Sequence, residues 1–483
     1  MIAQLSMYQQ RRKNLLESMR QQCPGSVAYL STAPEIARNR DNHYPYRHDS
    51  YFYYLTGFSE PESSLVLIAG HCPNEDQVIL FCREKNVERE IWDGYRYGPD
   101  AARTTFGMDQ AYAIDVLDQT LPQLLANRTA IFTSLAQSDS IDSQLRRWLQ
   151  QVRAQARTGV QTPTRFYDLW QILDEMRLFK DAHEMTTMRR AAQISAQAHR
   201  RAMQICRPGL REYHLEAELL HEFRCQGAQS VAYDSIVAAG KNSCVLHYRA
   251  GDAQLCAGEL CLIDAACELD GYAADITRTF PINGKFNAAQ RTLYELVLAA
   301  QEAAIAMTKP GKHFMQAHEA AVAVLAQGML DLHLLDRNQV GNVEDVIEKK
   351  AYTKFYMHRT GHWLGMDVHD CGAYRELNLN HSTTRHAASA IPTAATSTQT
   401  TNQIESNTSA VEAPWRILQA GMVTTIEPGI YIQPDKHVPE CYWHIGIRIE
   451  DDAVVTAQGC ELISRDVPVS ADEIEALMAH GKH

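Results

Sequence analysis

The first third of the chain alternates short apolar runs with polar turns, a pattern typical of an α/β domain. Compact apolar runs predict strands, and longer amphipathic stretches predict helices. The predicted strands are Ser26–Leu30, Ser64–Ala69 and Gln77–Phe81, and the predicted helices are Leu117–Leu125 and Asp142–Arg153. We therefore expect a mixed α/β domain over residues 1–175, with a boundary near Leu173–Asp181.

Residues 176–483 follow a different order, helix–helix–strands, and this order occurs twice. Asp181 with Glu184 indicates a helix start, and Asn287 with Gln290 indicates another. The predicted helices are Asp181–Met203, Glu212–Gln226, Ala288–Met307 and Met315–Leu330, and the predicted strands are Ser230–Val237, Val245–Tyr248, a hairpin over Glu259–Phe280, Met422–Ile432 and His444–Val455. The predicted fold class is α/β (α+β), with a pseudo-duplicated second domain around a central sheet.

Residues 381–413 interrupt this order with a segment rich in Ser and Thr and without an aromatic residue. Such a composition buries too little apolar surface to offset the entropy of ordering. We predict a disordered surface insertion that loops away from the rest of the domain.

Composition and charge exclude several classes of partner. The chain has 483 residues and a net charge of −12, which disfavours nucleic acid and anionic membranes because both are polyanions. It contains no run of 18 apolar residues and no secretory signal pattern. The 12 cysteines include no CxxC pair, so we expect reduced thiols in a cytoplasmic protein.

Two aspartates in the predicted hairpin are the first candidate functional residues. If the turn is centred on Leu269-Asp270, Asp264 stands opposite Asp275; if Asp270-Gly271 forms the turn, the pair is diagonal on one face. In either register the carboxylates approach to roughly 5–8 Å. Like charges facing each other destabilise a sheet unless a cation lies between them, although one Asp facing solvent would also explain the pattern.

Three later segments carry further candidates. His444, Arg448 and Glu450 share one face of a strand whose other face is apolar. Glu427 ends a strand at Pro428-Gly429, a sheet margin. The segment from Phe355 to Asp370 contains three histidines, His358, His362 and His369.

Together these residues suggest a metal site. Asp264, Asp275, His362, Glu427 and Glu450 supply four carboxylates and one imidazole, which is too much negative charge for an interior unless two divalent cations neutralise it. Oxygen-rich ligation suits hard to borderline cations, of which manganese is the expected one. Two such ions can activate water between them, which is hydrolytic chemistry. No P-loop, GxGxxG or GxSxG motif offers an alternative.

These motifs resemble the pita-bread metallopeptidases. The runs Asp275-Ile-Thr-Arg-Thr-Phe-Pro281, His362-Trp-Leu-Gly-Met-Asp-Val-His-Asp370 and Gly446-Ile-Arg-Ile-Glu-Asp451 are similar to those of the Xaa-Pro aminopeptidase (aminopeptidase P) family. Asp41 and the run from Tyr44 to Phe58 resemble the N-terminal domain of that family. The resemblance covers nearly the whole chain and implies a pita-bread catalytic domain around a curved antiparallel sheet.

The resemblance also implies residue roles. Asp264 would hold one metal ion, His362 and Glu427 the other, and Asp275 and Glu450 would bridge both. Glu427 is also implied to move a proton. The implied catalytic histidines are His247, His358 and His369, joined by Arg448; the implied substrate-binding residues are Tyr431, Asp41 and Trp92, the last two often from a neighbouring subunit.

The expected activity is release of the first residue from peptides with proline in the second position, by a homodimer or homotetramer. A prolidase-like dipeptidase on the same scaffold is the first alternative. The second is a pseudo-enzyme that keeps the fold as a peptide-binding module, which the five intact ligands disfavour.

Overall fold

The structure is a computed structural model that describes residues 2–136, 138–377 and 413–481. The chain divides into two units, Met1–Thr187 with Gly365–Asp367, and Met188–Leu364 with Val368–His483. Within the described residues, no helix combines the length and the apolar character that crossing a membrane requires. All 12 cysteines are free thiols.

The N-terminal unit has a six-stranded mixed sheet with helices around it. The helices are α1 Ile2–Gln22, α2 Ser50–Thr56, α3 Val87–Asp93, α4 Gly98–Phe106, α5 Leu117–Leu125, α6 Asp139–Arg153 and α7 Trp170–Leu178. The strands are β1 Ser26–Ser31, β2 Ala37–Asn39, β3 Asn42–His43, β4 Ser64–Ala69, β5 Gln77–Cys82, β6 Gln110–Ala113, β7 Ala130–Phe132 and β8 Arg165–Tyr167. The large sheet has the order β6-β5-β4-β1-β7-β8.

The core of this unit explains the apolar runs in its sequence. Val27, Val66 and Ile79 come from three adjacent strands and pack with Trp148 of α6, and all four are fully buried. The three predicted strands and both predicted helices of this region are confirmed to within three residues at each end.

The second unit contains the predicted repetition. Its helices are α8 Ala182–Ile205 (which begins in the first unit), α9 Glu212–Cys225, α10 Ala288–Met307, α11 Met315–Asp331, α12 Arg337–Val340, α13 Val343–Glu348 and α14 Ala471–His480. Its strands are β9 Ser230–Val231, β10 Ile236–Ala239, β11 Leu260–Asp264, β12 Cys267–Leu269, β13 Tyr272–Ala273, β14 Thr277–Pro281, β15 Val423–Ile426, β16 Gly429–Ile432, β17 Ile445–Arg448, β18 Asp451–Val455 and β19 Cys460–Leu462. Every ladder described between these strands is antiparallel.

Local hydrogen bonds account for the starts of the two long helices. The Asp181 side chain accepts from the amide of Glu184, whose carboxylate accepts from the amide of Asp181. Asn287 and Gln290 form the same reciprocal pair at α10. Both predicted helix starts are therefore confirmed, because each cap satisfies amides that lack a partner within the helix.

Several predicted strands are interrupted or absent. Val245–Tyr248 is not a strand: a 3₁₀ helix covers Gly240–Cys244, and the amide of Val245 turns back to the carbonyl of Asn242. The predicted strand Ser230–Val237 is divided into β9 and β10. Met422–Ile432 is divided at Glu427-Pro428, because proline has no amide hydrogen for a ladder.

The last predicted strand, His444–Val455, breaks at Ile449-Glu450. The amide of Glu450 donates to the carbonyl of Thr277 instead of to a partner in its own ladder. The interruptions at Glu427 and Glu450 each coincide with a candidate metal ligand.

The predicted insertion 381–413 lies, apart from Ala413, outside the described residues. The chain on either side of it is fixed by antiparallel pairing. Arg375 forms a bridge with Trp415, and the amide of Glu376 donates to the carbonyl of Pro414. The guanidinium of Arg375 also stacks 3.4 Å above the ring of Trp415.

Candidate metal centre

The hairpin has the second of the two registers left open by the sequence. Asp264 pairs with Thr277, and Leu269 pairs with Tyr272. The turn residues Asp270 and Gly271 both have positive φ, 49° and 80°, as a type I′ turn requires. Asp264 and Asp275 are therefore diagonal neighbours.

One tyrosine hydroxyl shows how close the two carboxylates are. The hydroxyl of Tyr233 lies 2.6 Å from Oδ1 of Asp264 and 2.6 Å from Oδ1 of Asp275. A hydroxyl has one proton, so Tyr233 can donate to only one of the two carboxylates. Sequence reasoning missed Tyr233, although a tyrosine in the strand predicted beside the hairpin was an available signal.

Three of the candidate ligands lie close enough together to share a metal ion. One atom each from Asp275, His362 and Glu450 lie within 4.8 Å of one another. Nε2 of His362 is 3.3 Å from Asp275 Oδ2 and 3.6 Å from Glu427 Oε1. With Asp264 linked to Asp275 through Tyr233, all five predicted ligands converge.

The tautomer of His362 suits metal binding. Its Nδ1 lies 3.0 Å from the carbonyl of Trp363, and a carbonyl can only accept, so Nδ1 carries the proton. Nε2 is the nitrogen that faces the carboxylates, and it presents a lone pair there once the imidazole is neutral. A histidine whose second nitrogen donates to a backbone carbonyl is the usual arrangement at metal sites, so the donor set fits divalent cations.

Arg448 ties Asp264 to a second group of side chains. Its Nη2 donates to Asp264 Oδ2 at 2.6 Å, and its Nη1 donates to the hydroxyl of Tyr431 at 3.0 Å. That hydroxyl donates to Nε2 of His358 at 2.8 Å, because Nδ1 of His358 already donates to the carbonyl of Arg359. Burial, followed by the charge of Arg448, lowers the pKa of His358 to about 3, so it is neutral.

His369 and His247 complete the polar wall of a cavity of about 570 Å³. The rings of His369 and His362 meet edge to face, with centroids 4.4 Å apart. Burial, then the charge of His362, lowers the pKa of His369. The side chain of His247 is exposed to the same cavity.

The charge of this cluster is unbalanced unless a cation is present. Burial, joined by the repulsion of Asp275, raises the pKa of Glu427 to about 7 and that of Glu450 well above its usual range. Burial also raises the pKa of Asp264, against the attraction of Arg448. Burial alone would lower the pKa of His362, but Asp275 and Glu427 outweigh it and raise the pKa to about 9. These are groups that hold protons until a cation displaces them.

A pH dependence of stability follows for protein stripped of metal. The folded pKa values of Glu427 and His362 both exceed their unfolded values, so the folded state binds more protons. The stabilisation is complete below the unfolded pKa values and is lost as pH rises through about 7 and then about 9. Thermal unfolding in chelator should therefore show a melting temperature that falls from pH 6 to pH 9, less so in Glu427→Gln. A melting temperature that rises over this range would contradict the account.

A buried ion pair stabilises the strands that carry the candidate metal ligands. Arg278 and Asp451 are fully buried, with Nη2 2.8 Å from Oδ1. Nη1 of Arg278 also donates to the carbonyls of Thr277 and Glu450. The side-chain amide of Gln301 donates to the carboxylate of Asp451. It also donates to the backbone carbonyls of Ile426 and Ile449, which precede Glu427 and Glu450. This network holds the backbone on both sides of the ligands.

The two predicted substrate-binding residues outside this cavity belong to the N-terminal unit. Asp41 lies in the turn between β2 and β3, and Trp92 lies on α3; both are exposed. Their predicted role in the groove of a neighbouring subunit stays a prediction.

Comparison with known proteins identifies the family. The model of metallopeptidase family M24 matches residues 186–457, which contain all five candidate ligands. The chain belongs to metallopeptidase family M24. A second family model, the aminopeptidase P N-terminal domain, matches residues 8–132.

Full-length relatives place the chain more narrowly within this family. It is 41% identical to the Xaa-Pro aminopeptidase of Escherichia coli over 98% of this chain and 97% of the relative. It is 31% identical to Xaa-Pro aminopeptidase 3 of Homo sapiens, over 97% and 85%. The predicted resemblance to aminopeptidase P is confirmed.

Solved structures agree with these relatives. Pseudomonas aeruginosa aminopeptidase PepP matches with a TM-score of 0.88 and 47% identity, covering 99% of this chain and 98% of that one. A variant of E. coli aminopeptidase P in complex with substrate matches with a TM-score of 0.88 and 39% identity over 99% of both chains. The predicted pita-bread M24 fold is therefore confirmed.

Proposed function

We propose that this M24 protein is a metal-dependent aminopeptidase that releases the N-terminal residue from peptides with proline in the second position. The observation that carries the proposal is the convergence of Asp264, Asp275, His362, Glu427 and Glu450 in one cavity. It is supported by full-length likeness to Xaa-Pro aminopeptidases and to an aminopeptidase P structure with bound substrate.

The proposed ligands are those that the family resemblance implies. Asp264 would hold one ion, His362 and Glu427 would hold the other, and Asp275 and Glu450 would be shared by both. Carboxylate oxygens with one imidazole suit manganese, which we propose as the metal. When bound, two such ions lower the pKa of water and polarise the peptide carbonyl.

The other side chains would handle protons and orient the peptide. Glu427, a carboxylate of the cluster, would accept the proton of the attacking water and pass it to the leaving nitrogen of proline. His369, beside His362, is placed to donate to the developing oxyanion. His247, which lines the same cavity, would orient the substrate.

Arg448, Tyr431 and His358 form the connected group already described. In the proposed reaction, Arg448 offsets the charge of Asp264 and fixes the hydroxyl of Tyr431. Tyr431 in turn holds neutral His358 beside Glu427, where Nδ1 lies 3.7 Å from Oε2. This arrangement keeps the proton acceptor in one orientation while substrate binds.

We assign residues 1–175 to a domain that shapes the substrate groove and contributes oligomer contacts, and residues 176–483 to the catalytic domain. The first assignment is supported by an exposed apolar surface on α3. Val87, Ile91 and Trp92 are 72%, 79% and 84% exposed, which is unusual for large apolar side chains on one short helix.

We propose a homodimer or homotetramer that covers this surface. Full activity of a dilute monomer, measured by sedimentation and assay, would contradict it.

A cytoplasmic location is proposed from the 12 free thiols, which oxidising compartments would pair. Cell fractionation tests it directly, and recovery only from an extracytoplasmic fraction would contradict it. The proposed partners are peptides, not nucleic acid or membranes, in keeping with the net charge of −12.

The experiment that separates the proposal from a prolidase-like dipeptidase compares two substrates. Purified protein loaded with manganese should release the first residue from Xaa-Pro-Xaa tripeptides at least about tenfold faster, in kcat/KM, than from the matching Xaa-Pro dipeptides. The physical reason is that residues beyond the proline add binding contacts that a dipeptide lacks. Faster cleavage of the dipeptide would favour the dipeptidase instead.

A further inference from the structure

The cavity wall that carries His247 is an irregular segment, not a strand or helix. Residues 245–251 follow the 3₁₀ helix Gly240–Cys244 and form no ladder. Four consecutive residues of this segment line the cavity, from Leu246 to Arg249. Since no regular ladder fixes this backbone, other contacts must set the position of His247.

A single buried carboxylate supplies those contacts. Glu212, the first residue of α9, is fully buried. Its Oε1 accepts from the amide of Ala239 at 2.8 Å and from Nδ2 of Asn242 at 3.0 Å. Its Oε2 accepts from the hydroxyl of Tyr248 at 2.9 Å and from the amide of Gly251 at 3.0 Å.

These four donors lie on both sides of His247 in the sequence. Oε1 holds the chain before the histidine, and Oε2 holds the chain after it. Asn242 also donates to the hydroxyl of Tyr248 at 3.0 Å, so the two sides are joined to each other. The adjacent backbone adds to this connection, because the amide of Glu212 donates to the carbonyl of Ala253.

The network requires a carboxylate and not merely a polar side chain. Both oxygens of Glu212 accept a backbone amide, and a backbone amide cannot reverse its role. A glutamine would direct its own NH₂ at Ala239 or at Gly251 and leave a buried donor unsatisfied. The position at the N-terminus of α9 favours the negative charge as well.

We propose that Glu212 is a positioning residue for His247: by joining the two sides of segment 240–251, it holds the imidazole at the wall of the cavity. Glu212 does not itself reach the cavity, so it acts through the segment and not on substrate. The inference deepens the aminopeptidase function proposed above and rests on it only for the kinetic part of its test.

The kinetic test is a double-mutant cycle in holoenzyme. Glu212→Gln should lower kcat/KM for an Xaa-Pro-Xaa peptide about tenfold when His247 is present and less than about twofold in the His247→Ala background. Glu222→Gln is the matched control, because Glu222 lies on the same helix and contacts Gln226 at its surface. It should leave kcat/KM unchanged in both backgrounds. Equal losses from Glu212→Gln with and without His247 would overturn the proposal, since a purely structural role acts independently of the histidine.

A second readout does not depend on activity. In metal-stripped protein, Glu212→Gln should speed hydrogen exchange of the amides of Ala239 and Gly251 and should shift the ring resonances of His247, while Glu222→Gln changes neither. Unchanged exchange and unchanged His247 resonances would overturn the proposal. If the wild type lacks peptidase activity, the proposed function fails, but this readout still decides the role of Glu212.

Asn242→Ala serves as the second variant if Glu212→Gln does not fold. It removes one of the four donors and keeps the carboxylate, and Asn242 does not line the cavity. It should change the His247 resonances and kcat/KM in the same direction as Glu212→Gln, by a smaller factor. No effect on either quantity would contradict the proposal.

Discussion

Replacing Asp275 by Asn is expected to lower kcat/KM by at least about 10³-fold, equivalent to about 4 kcal/mol of transition-state stabilisation. Asp275 contacts both Tyr233 and His362 within the cluster. An amide keeps the shape but presents one oxygen and no charge, so it cannot bridge two cations. Bound metal, measured by elemental analysis, should fall together with activity.

A second aspartate of the same hairpin is the matched control. Asp270 is exposed in the turn and accepts from the side chain of Gln229. Asn fits an Asp-Gly turn equally well and keeps the acceptor, so Asp270→Asn should retain full metal content and activity. If Asp275→Asn behaved like this control, the assignment of the bridging ligand would be wrong.

Replacing Arg278 by Met is expected to destabilise the second unit by about 3 kcal/mol, because the fully buried Asp451 loses one of its two guanidinium partners. Burial raises the pKa of Asp451, but Arg278 and Arg465 outweigh it and keep the pKa below its usual value. The melting temperature should fall by roughly 5–10 °C for a unit of this size. Metal affinity should also fall, because Arg278 holds the carbonyl of Glu450.

Arg291→Met provides the comparison at the surface. Arg291 also forms ion pairs, with the exposed side chains of Glu295 and Asp472 and, at 3.9 Å, with the buried Glu475. Lys285 remains as a partner of Glu475 when Arg291 is replaced. Screening by water makes such pairs weak, so this variant should melt at nearly the wild-type temperature. If the two substitutions lowered the melting temperature equally, Arg278 would not stabilise the strands that carry the candidate metal ligands.

Local sequence signals predicted much of the fold correctly. The reciprocal caps at Asp181 and Asn287 act within a few residues, so they can be recognised without tertiary structure. The strand Ser64–Ala69 is apolar from Leu65 onward because side chains on both of its faces are buried.

Tertiary contacts decided what the sequence left open or missed. The two registers of the Asp264 hairpin differ only in the turn, and the positive φ of Asp270 and Gly271 selects one of them. The predicted strand at Val245–Tyr248 failed because Glu212, distant in sequence, holds that segment by side-chain hydrogen bonds. Tyr233 was missed because the carboxylate that its hydroxyl contacts, Asp264, comes close to it only in the folded chain.

The candidate metal ligands were selected from spacing and resemblance, yet the break at Glu450 was not expected. Glu450 was predicted within a continuous strand, and Glu427 at a strand end inside the longer predicted strand Met422–Ile432, whereas the chain leaves the ladder at both residues. The amide of Glu427 donates to Thr360 and that of Glu450 donates to Thr277, so each glutamate bonds across to a neighbouring segment. A sequence pattern of period two gives no sign of such departures.

Hydrolysis of a Lys-Pro-Pro-type peptide by metal-stripped protein, with and without added manganese, tests the central claim most directly. We expect release of the first residue only when manganese is present, and loss of that release in Asp275→Asn. A folded protein that releases nothing with any divalent metal would contradict the aminopeptidase function and favour a peptide-binding module on the same scaffold.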